Sequence, residues 1–412
     1  MAGLSEYLVV LVIYHLIFFY WAYTKPYTLA TSELLSTFFP SWLHGGKNES
    51  YYWYKPTGHP VLSEYYPFSK ILSYLARRTK SVNDKFTTFV YFLTAHFAIT
   101  SIAWYFLLSN WFNAEIALFG SITFTYQTYH LKQQPCIVYT LSWFPVMLLG
   151  LAHHSLWLSS VAIGMILLAG YYPLSMYLLP CGFLLFPQVL PFLLGLVIGL
   201  PQLIKFIKYL PKTVRATSRE DVKPNFWEYN YYIGIVPIIL LITNLQWRYL
   251  WILVPIVISY LLRNYLPRVY QRAWIISAYI GVYFSLLLCQ KMDINTLFII
   301  LILQSYDLWR HRQAMVTRPF NELQKKPSLA FDTKLTRYLE ANLGDTRVSG
   351  LPWPIFTGLI NKIRTVGYRG GMRLNLMEKH GEPRLRVKYT YSRKKLDWKF
   401  TGIKNLYFNP SF

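Results

Sequence analysis

Apolar positions recur along this chain in long runs separated by short polar links, and the lengths of those runs predict its architecture. A bilayer core of about 30 Å takes about 20 apolar residues per helix. By that measure the pattern predicts about eleven membrane spans, near 7–23, 86–108, 112–129, 136–152, 155–171, 173–188, 190–207, 231–246, 248–263, 273–290 and 294–309. Between 136 and 207 the links are very short, as in HHS at 153–155, and Pro173, Pro180, Pro187 and Pro191 punctuate the runs. Prolines are tolerated in membrane helices because neighbouring groups can satisfy the freed backbone. The first run, YLVVLVIYHLIFFYWAY, has no basic stretch before it and no small-residue cleavage site after it. It reads as a retained first span rather than a removed signal.

Three stretches break the apolar pattern. Residues 24–84 form a long polar loop, 208–230 a second one, and 310–412 a tail. In the tail, FDTKLTRYLEANLG (331–344) places Leu335, Leu339 and Leu343 at helical spacing with Gly344 as a stop. LRVKYTYSRKKLDWKFTGI (385–403) alternates apolar and polar positions and is rich in β-formers, so it predicts a small β element. The expected fold is an all-α polytopic membrane domain over 1–309 followed by a small basic soluble α+β domain over 310–412.

Composition agrees with this division. The 412 residues are 54% hydrophobic and only 14% charged, against about 25% charged in an average soluble domain. Lys and Arg total 41 against 18 Asp and Glu. From Arg310 onward there are 21 basic and 7 acidic residues, so the tail carries +14 of the net +23. Such a tail suits anionic head groups, phosphates or nucleic acid. Cys136, Cys181 and Cys289 lie in apolar surroundings without metal-site spacing and read as free buried thiols. Orientation is contested within the sequence itself. Arg263, Arg268 and Arg272, with Arg310 and Arg312 after the last span, favour the cytoplasm. Eleven crossings from a cytoplasmic N-terminus would instead bring the tail outside.

The order of features in the first loop and beyond is more specific. Glu33 is followed by FFPSW (38–42), a Gly pair at 45–46, Trp53, GHP (58–60) and EYYPF (64–68). Further on come LSWFPVMLLGLA (141–152), LLAGYYPLSMYLL (167–179), PQLIKFIKYLPKTVR (201–215) and FWEYNYYIGIVPIILLI (226–242). TRVSGLP (346–352) and IRTVGYRGG (363–371) follow in the tail. In this order they resemble the YfhO-like bacterial membrane proteins, relatives of the C-type (GT-C) polyprenyl-phosphate-dependent glycosyltransferases. The first-loop acid is Glu33 where that family more often has aspartate, and Trp53 is followed by Tyr-Lys-Pro rather than Asn-Pro.

The resemblance implies a multi-pass protein of the bacterial cytoplasmic membrane that transfers a sugar from a polyprenyl-phosphate donor to an envelope glycopolymer or glycolipid. Such chemistry needs a carboxylate at the membrane surface, as base toward the acceptor hydroxyl or as ligand of a divalent magnesium or manganese ion. It also needs cations for the leaving phosphate. Glu33 is the expected base or metal ligand, with Glu64 as its partner and His59 as a further acid or phosphate donor. Arg77, Arg78, Lys55 and Arg215 are the expected phosphate ligands, and Trp53 and Tyr54, with Tyr51, Tyr52, Tyr65 and Tyr66, could stack on a sugar. Each has a plainer explanation. Tyr and Trp near a bilayer commonly anchor at head groups, and Arg77 and Arg78 could end an amphipathic helix over 69–78 whose Ile71, Leu72 and Leu75 lie in the head-group plane.

Other polar groups fit structural roles. His15 lies mid-span, where it is either functional or hydrogen-bonded between helices. His153 and His154 fall in a tight turn, and Glu115, Asp293 and Asp307 near span ends can snorkel or cap helices. Asn48-Glu49-Ser50 matches a glycosylation sequon, a triplet frequent by chance. The sequence contains no phosphate-binding Walker loop, GxGxxG, HExxH or GxSxG, which argues against nucleotide-driven transport, dinucleotide enzymes, zinc proteases and serine hydrolases. Aromatics interleave with Lys and Arg in the tail as in single-strand binders, but a charged β surface facing lipid or polymer is the simpler account. The competing class is a non-catalytic membrane protein, either a carrier of lipid-linked substrate or an assembly subunit. A carrier would show broken helices and mid-membrane charge.

Overall fold

A computed structural model of the chain describes residues 2–26, 66–68, 70–71, 74, 78, 82–127, 135–209, 232–261, 274–312, 334–342, 347–349, 387–391, 399–400 and 406–408. The apolar runs form helices in the predicted order: α1 (Ala2–Thr24), α2 (Val82–Leu108), α3 (Ala114–Tyr126), α4 (Pro135–Ala152), α5 (Leu156–Leu168), α6 (Tyr172–Leu185) and α7 (Val189–Tyr209). After these come α8 (Ile235–Thr243), a 3₁₀ segment (Trp247–Ile252), α9 (Val254–Leu261), α10 (Trp274–Cys289) and α11 (Ile294–His311). Among the described residues, four stretches are long and apolar enough to cross a membrane: Glu6–Thr24, Phe86–Leu108, Pro135–Ala152 and Val189–Ile207.

The other expected spans coincide with shorter helices or, for α11, with an 18-residue helix that is too polar, carrying Asn295, Gln304, Asp307 and Arg310; the short ones have local reasons. In α3, Asn113 caps the first turn by accepting a hydrogen bond from the Ile116 N–H at 3.0 Å, and Gln127 turns extended at the other end. Its 13 residues rise about 20 Å at 1.5 Å per residue. The expected run at 248–263 divides into the 3₁₀ segment and α9, whose second residue is Pro255. Proline suits a helix's first turn, where its missing N–H would have had no partner.

Burial follows membrane logic. Val9, Val12, Ile13, Leu16, Ile17 and Tyr20 of α1 are exposed while His15 is buried. On α7, Leu193, Val197, Leu200, Ile204 and Ile207 are exposed while Gln202 and Lys205 are buried. Water would favour the reverse, whereas hydrocarbon favours apolar faces outward. This is a helical membrane protein.

Two compact units are present. One comprises Met1–Trp21, Tyr91–Ile204 and Arg219–Val316, and contains most of the helices. Small residues set its close packing. On α5 and α7, Ser160 and Gly164 face Gly195 and Gly199, a small-xxx-small arrangement suited to apolar surroundings, where close backbone approach replaces hydrophobic driving force. A Cβ on Gly199 would lie 2.5 Å from the Leu167 Cβ, and one on Gly195 would collide with Ile163 and come within 3.0 Å of the Ser160 carbonyl. The α4–α5 hairpin closes as expected at HHS: the Ser155 N–H donates to Gly150 O at 2.8 Å and the His154 N–H to Leu151 O at 3.2 Å. His154 has φ +51, so it occupies the left-handed position that glycine usually takes at a helix C-terminus.

Contacts fix the helix directions within this unit. Tyr7 in the first turns of α1 bonds Glu115 at the start of α3, and His15 further along α1 bonds Tyr126 at the end of α3, so the two run parallel. Helix α2 is antiparallel to α3, with the Ser121 hydroxyl donating to Ser101 O at 2.6 Å. Helix α10 is also antiparallel to α3, through Phe124–Tyr279 and Phe112–Tyr283 ring contacts at 5.3 and 6.2 Å. Helix α11 returns after a tight turn, and its Ser305 carbonyl accepts from the Tyr14 hydroxyl at 3.0 Å. First and last helices of the unit therefore point the same way. The end where α1 begins is termed the entry end, and the end where α1 and α11 finish the loop end.

The second unit draws on Ala22–Val90, Lys205–Ser218 and Thr317–Phe412. The described parts of the tail in this unit are α12 (Lys334–Asn342), with Leu335 and Leu339 buried one turn apart, and four strands. Strands β1 (Arg347–Ser349), β2 (Val387–Tyr391), β3 (Lys399–Phe400) and β4 (Leu406–Phe408) form a sheet in the order β1-β2-β4-β3. β1 pairs parallel with β2, and the other pairs are antiparallel. Strands β2 and β3 fall inside the alternating stretch 385–403.

Two substitutions test this packing. Gly195→Leu should lower stability by about 1–3 kcal/mol through overpacking of α5 against α7, seen as an earlier thermal unfolding midpoint in detergent. His154→Gly should raise the midpoint, since a non-glycine residue in left-handed backbone costs about 1 kcal/mol.

Candidate functional site

The residues expected to carry the chemistry lie mostly in the loops. Glu33, Trp53, Tyr54, Lys55, His59, Glu64, Arg77 and Arg215 are outside the described residues. Arg78 is described: its Nη2 donates to the Tyr74 hydroxyl at 2.6 Å, with the guanidinium carbon 4.8 Å from that ring's centre. Ile71 and Tyr74 are exposed; Leu72 and Leu75, the other apolar residues of the amphipathic reading, lie outside the described residues. Tyr66 is buried, which removes it from the candidate sugar-stacking surface. Among the described residues, no group of three or more His, Cys, Asp or Glu is placed to hold a metal ion.

A polar cluster surrounds the start of α8, which begins at Ile235 after Tyr232–Gly234, residues outside regular secondary structure, with Gly234 at φ +98. The start of a helix leaves N–H groups without intrahelical partners, and α11 supplies them. Asp307 Oδ2 accepts from the Ile235 N–H at 2.9 Å and from the Tyr232 hydroxyl at 2.7 Å. One turn earlier, Gln304 is fully buried. Its Nε2 donates to Ile233 O at 2.8 Å and to the Thr123 hydroxyl of α3 at 3.3 Å, while its Oε1 accepts from the Val236 N–H at 3.3 Å. A Cβ on residue 234 would collide with the Gln304 amide. The Tyr-Ile-Gly-Ile-Val-Pro stretch thus has a physical explanation: a tyrosine to reach Asp307, a glycine to admit Gln304, and Pro237 in the first turn of the new helix.

The other acids also take structural partners. Asp293 caps α11 by accepting from the Thr296 N–H at 3.0 Å and hydroxyl at 2.6 Å. The Thr296 side-chain bond, followed by its backbone N–H, holds the Asp293 carboxyl below its ordinary range. Its contribution to folding is therefore present at neutral pH and is lost as pH falls through that lowered value. Glu115 accepts from the Tyr7 hydroxyl at 2.6 Å. The His15 Nδ1 lies 3.1 Å from the Tyr126 hydroxyl, with the His15 and Phe19 rings 5.1 Å apart, so a helix-to-helix hydrogen bond accounts for the mid-span histidine. Cys136 and Cys289 are buried free thiols and Cys181 is half-buried.

Two inward polar residues escaped the sequence reading. Lys205 and Gln202 on α7 are only 8% and 3% exposed, within PQLIKF, a stretch noted for other reasons. A cation hidden on a helix whose opposite face is apolar is a signal available only when the faces are mapped. His96 on α2 is likewise buried. Its Nδ1 lies 2.8 Å from Phe92 O, and its ring is 4.6 Å from that of Tyr139 on α4.

Compared with known proteins, the chain matches no family model and no curated relative.

Removing the Asp307 carboxylate takes away the acceptor of the Ile235 N–H and the bond that it accepts from the Tyr232 hydroxyl. Hydrogen bonds to charged groups contribute about 1.5–3 kcal/mol, so Asp307→Ala should lower thermal stability by about that amount. Tyr232→Phe in the Asp307→Ala background should then cost little more, because the two share one interaction.

Proposed function

We propose that the chain is a membrane glycosyltransferase of the C type, moving a sugar from a polyprenyl-phosphate donor to an envelope glycopolymer or glycolipid acceptor in the bacterial cytoplasmic membrane. The observation that carries this reading is the ordered series of motifs from Glu33 to the tail. The helices long and apolar enough to cross a membrane are consistent with it. Eleven crossings and a GT-C-like arrangement belong to the same proposal.

In this reading Glu33 takes the proton of the acceptor hydroxyl or holds a magnesium or manganese ion, with Glu64 beside it. His59 supplies a donor, and Trp53 and Tyr54 hold the sugar face. Arg77, Arg78, Lys55 and Arg215 bind the departing lipid phosphate. Arginine suits that role because its planar fork matches two phosphate oxygens, while lysine acts as a point charge. A positioned general base contributes about 10²–10⁴-fold to rate. Glu33→Gln should therefore cut sugar transfer by about that factor in membranes supplied with the lipid-linked donor, while the protein's abundance and unfolding midpoint stay unchanged. Full activity in that variant would remove Glu33 from the mechanism.

A second reading, a non-catalytic carrier of lipid-linked substrate, draws on a different observation. After the short helix α8, the apolar run at 248–263 divides into a 3₁₀ segment and α9. Interrupted helices of this kind commonly line substrate paths in transporters. Sidedness separates the two. Transfer to an envelope acceptor requires the loop end to face outward; a carrier is compatible with a cytoplasmic loop end, which Arg263, Arg268 and Arg272 favour.

A further inference from the structure

The two ends of the helical unit differ in chemistry once the helix directions are known. Trp111 lies in the turn after α2, Trp157 in the first turn of α5, and Trp247 and Trp251 in the 3₁₀ segment. All four are exposed, and all belong to the entry end. Ring contacts support this placement, since Phe112 meets Tyr283 and Tyr249 meets Phe284 near the end of α10, at 6.2 and 5.2 Å. Exposed tryptophans at one level are the mark of a membrane–water interface. The short connections at this end carry few cations, Arg248 and Lys291.

The loop end is basic. In the sequence, Lys132 falls between α3 and α4, and Arg263, Arg268 and Arg272 between α9 and α10, all outside the described residues. The last turn of α11 adds Arg310 and Arg312. Arg312 is built into an aromatic platform. Its guanidinium carbon lies 3.6 Å from the centre of the Trp309 ring, and that ring stacks on exposed Tyr306 at 6.0 Å. Among the described residues neither Arg310 nor Arg312 forms an ion pair; the nearby Asp307 is engaged with Tyr232, Ile235 and His311. Arg312 Nη1 also donates to the Trp309 carbonyl, and a guanidinium so held on tryptophan keeps its other N–H groups for an anion.

We propose that the loop end of this unit is a phosphate-binding membrane face, whose partner is the anionic phospholipid of the adjoining leaflet. Each cation near such a surface contributes about 1 kcal/mol of attraction. The proposal holds whether or not the chain transfers a sugar, because it depends on helix direction and on Arg310 and Arg312, none of which enter the catalytic reading.

The test uses the full-length protein in nanodiscs of neutral phosphatidylcholine, or of the same lipid with roughly a third phosphatidylglycerol. A ligand that binds the folded state raises its unfolding midpoint. The wild type should unfold several degrees later in the anionic discs. The gain should fade in salt near 1 M, where the screening length falls to about 3 Å. Arg310→Gln with Arg312→Gln should lose most of the gain, while Arg248→Gln with Lys291→Gln at the entry end should keep it. If the double variant at 310 and 312 is already destabilised in neutral discs, Arg310→Gln alone, on an exposed side chain, serves instead and should lose part of the gain. Equal gains in loop-end and entry-end variants, or no gain in the wild type, would overturn the proposal. So would an equal shift from soluble glycerophosphate in neutral discs, because the site would then take free phosphate rather than a membrane lipid.

Discussion

In hydrocarbon no water is present to satisfy a free backbone N–H or carbonyl, and this constraint governs the helical unit. Among the described residues it is met mostly by continuous helix. At the start of α8 the partners come from another part of the chain, and Gln304 and Asp307 supply them from α11. Those two side chains tie the start of α8 to α11, and through Thr123 to α3. Helix α3 in turn meets α1, α2 and α10, so this cluster joins helices that are distant in sequence.

The remaining contacts in this unit are of two kinds. Close approach through glycine and serine brings α5 against α7, where van der Waals contact is the main attraction available between helices in lipid. Hydroxyls and histidines add hydrogen bonds between helices. Thr100 of α2 donates to Ser142 of α4 at 2.9 Å, and His15 meets Tyr126. Trp104, Phe124, Phe144 and Tyr279 add an aromatic cluster in which Trp104 stacks on Phe124 at 4.2 Å. The result is a unit whose outside is apolar and whose inside is selectively polar.

For function, the useful distinction is between where the chain puts its cations and what those cations do. Sequence distance hides that Arg310 and Arg312 lie at one end of the helices, while among the described residues the exposed tryptophans lie at the other. Charge that looks scattered along the chain is therefore polarised along the helices.

The sequence alone determined the membrane class, the order and approximate limits of the helices, and the alternating strands of the tail, because each depends on local patterns of apolar residues. It also identified Asp307, Asp293 and Glu115 as groups that cap or anchor, since acids beside apolar runs have few other stable options. Only the tertiary structure decided which partner each one takes. Asp293 caps its own helix, but Asp307 caps α8, whose first residue is 72 positions earlier in the chain, a pairing with no local signature. The same holds for the shortness of α8, for buried Lys205, and for the common direction of α1 and α11. Each follows from which helix faces lie together, and a run of apolar residues is equally compatible with several such arrangements.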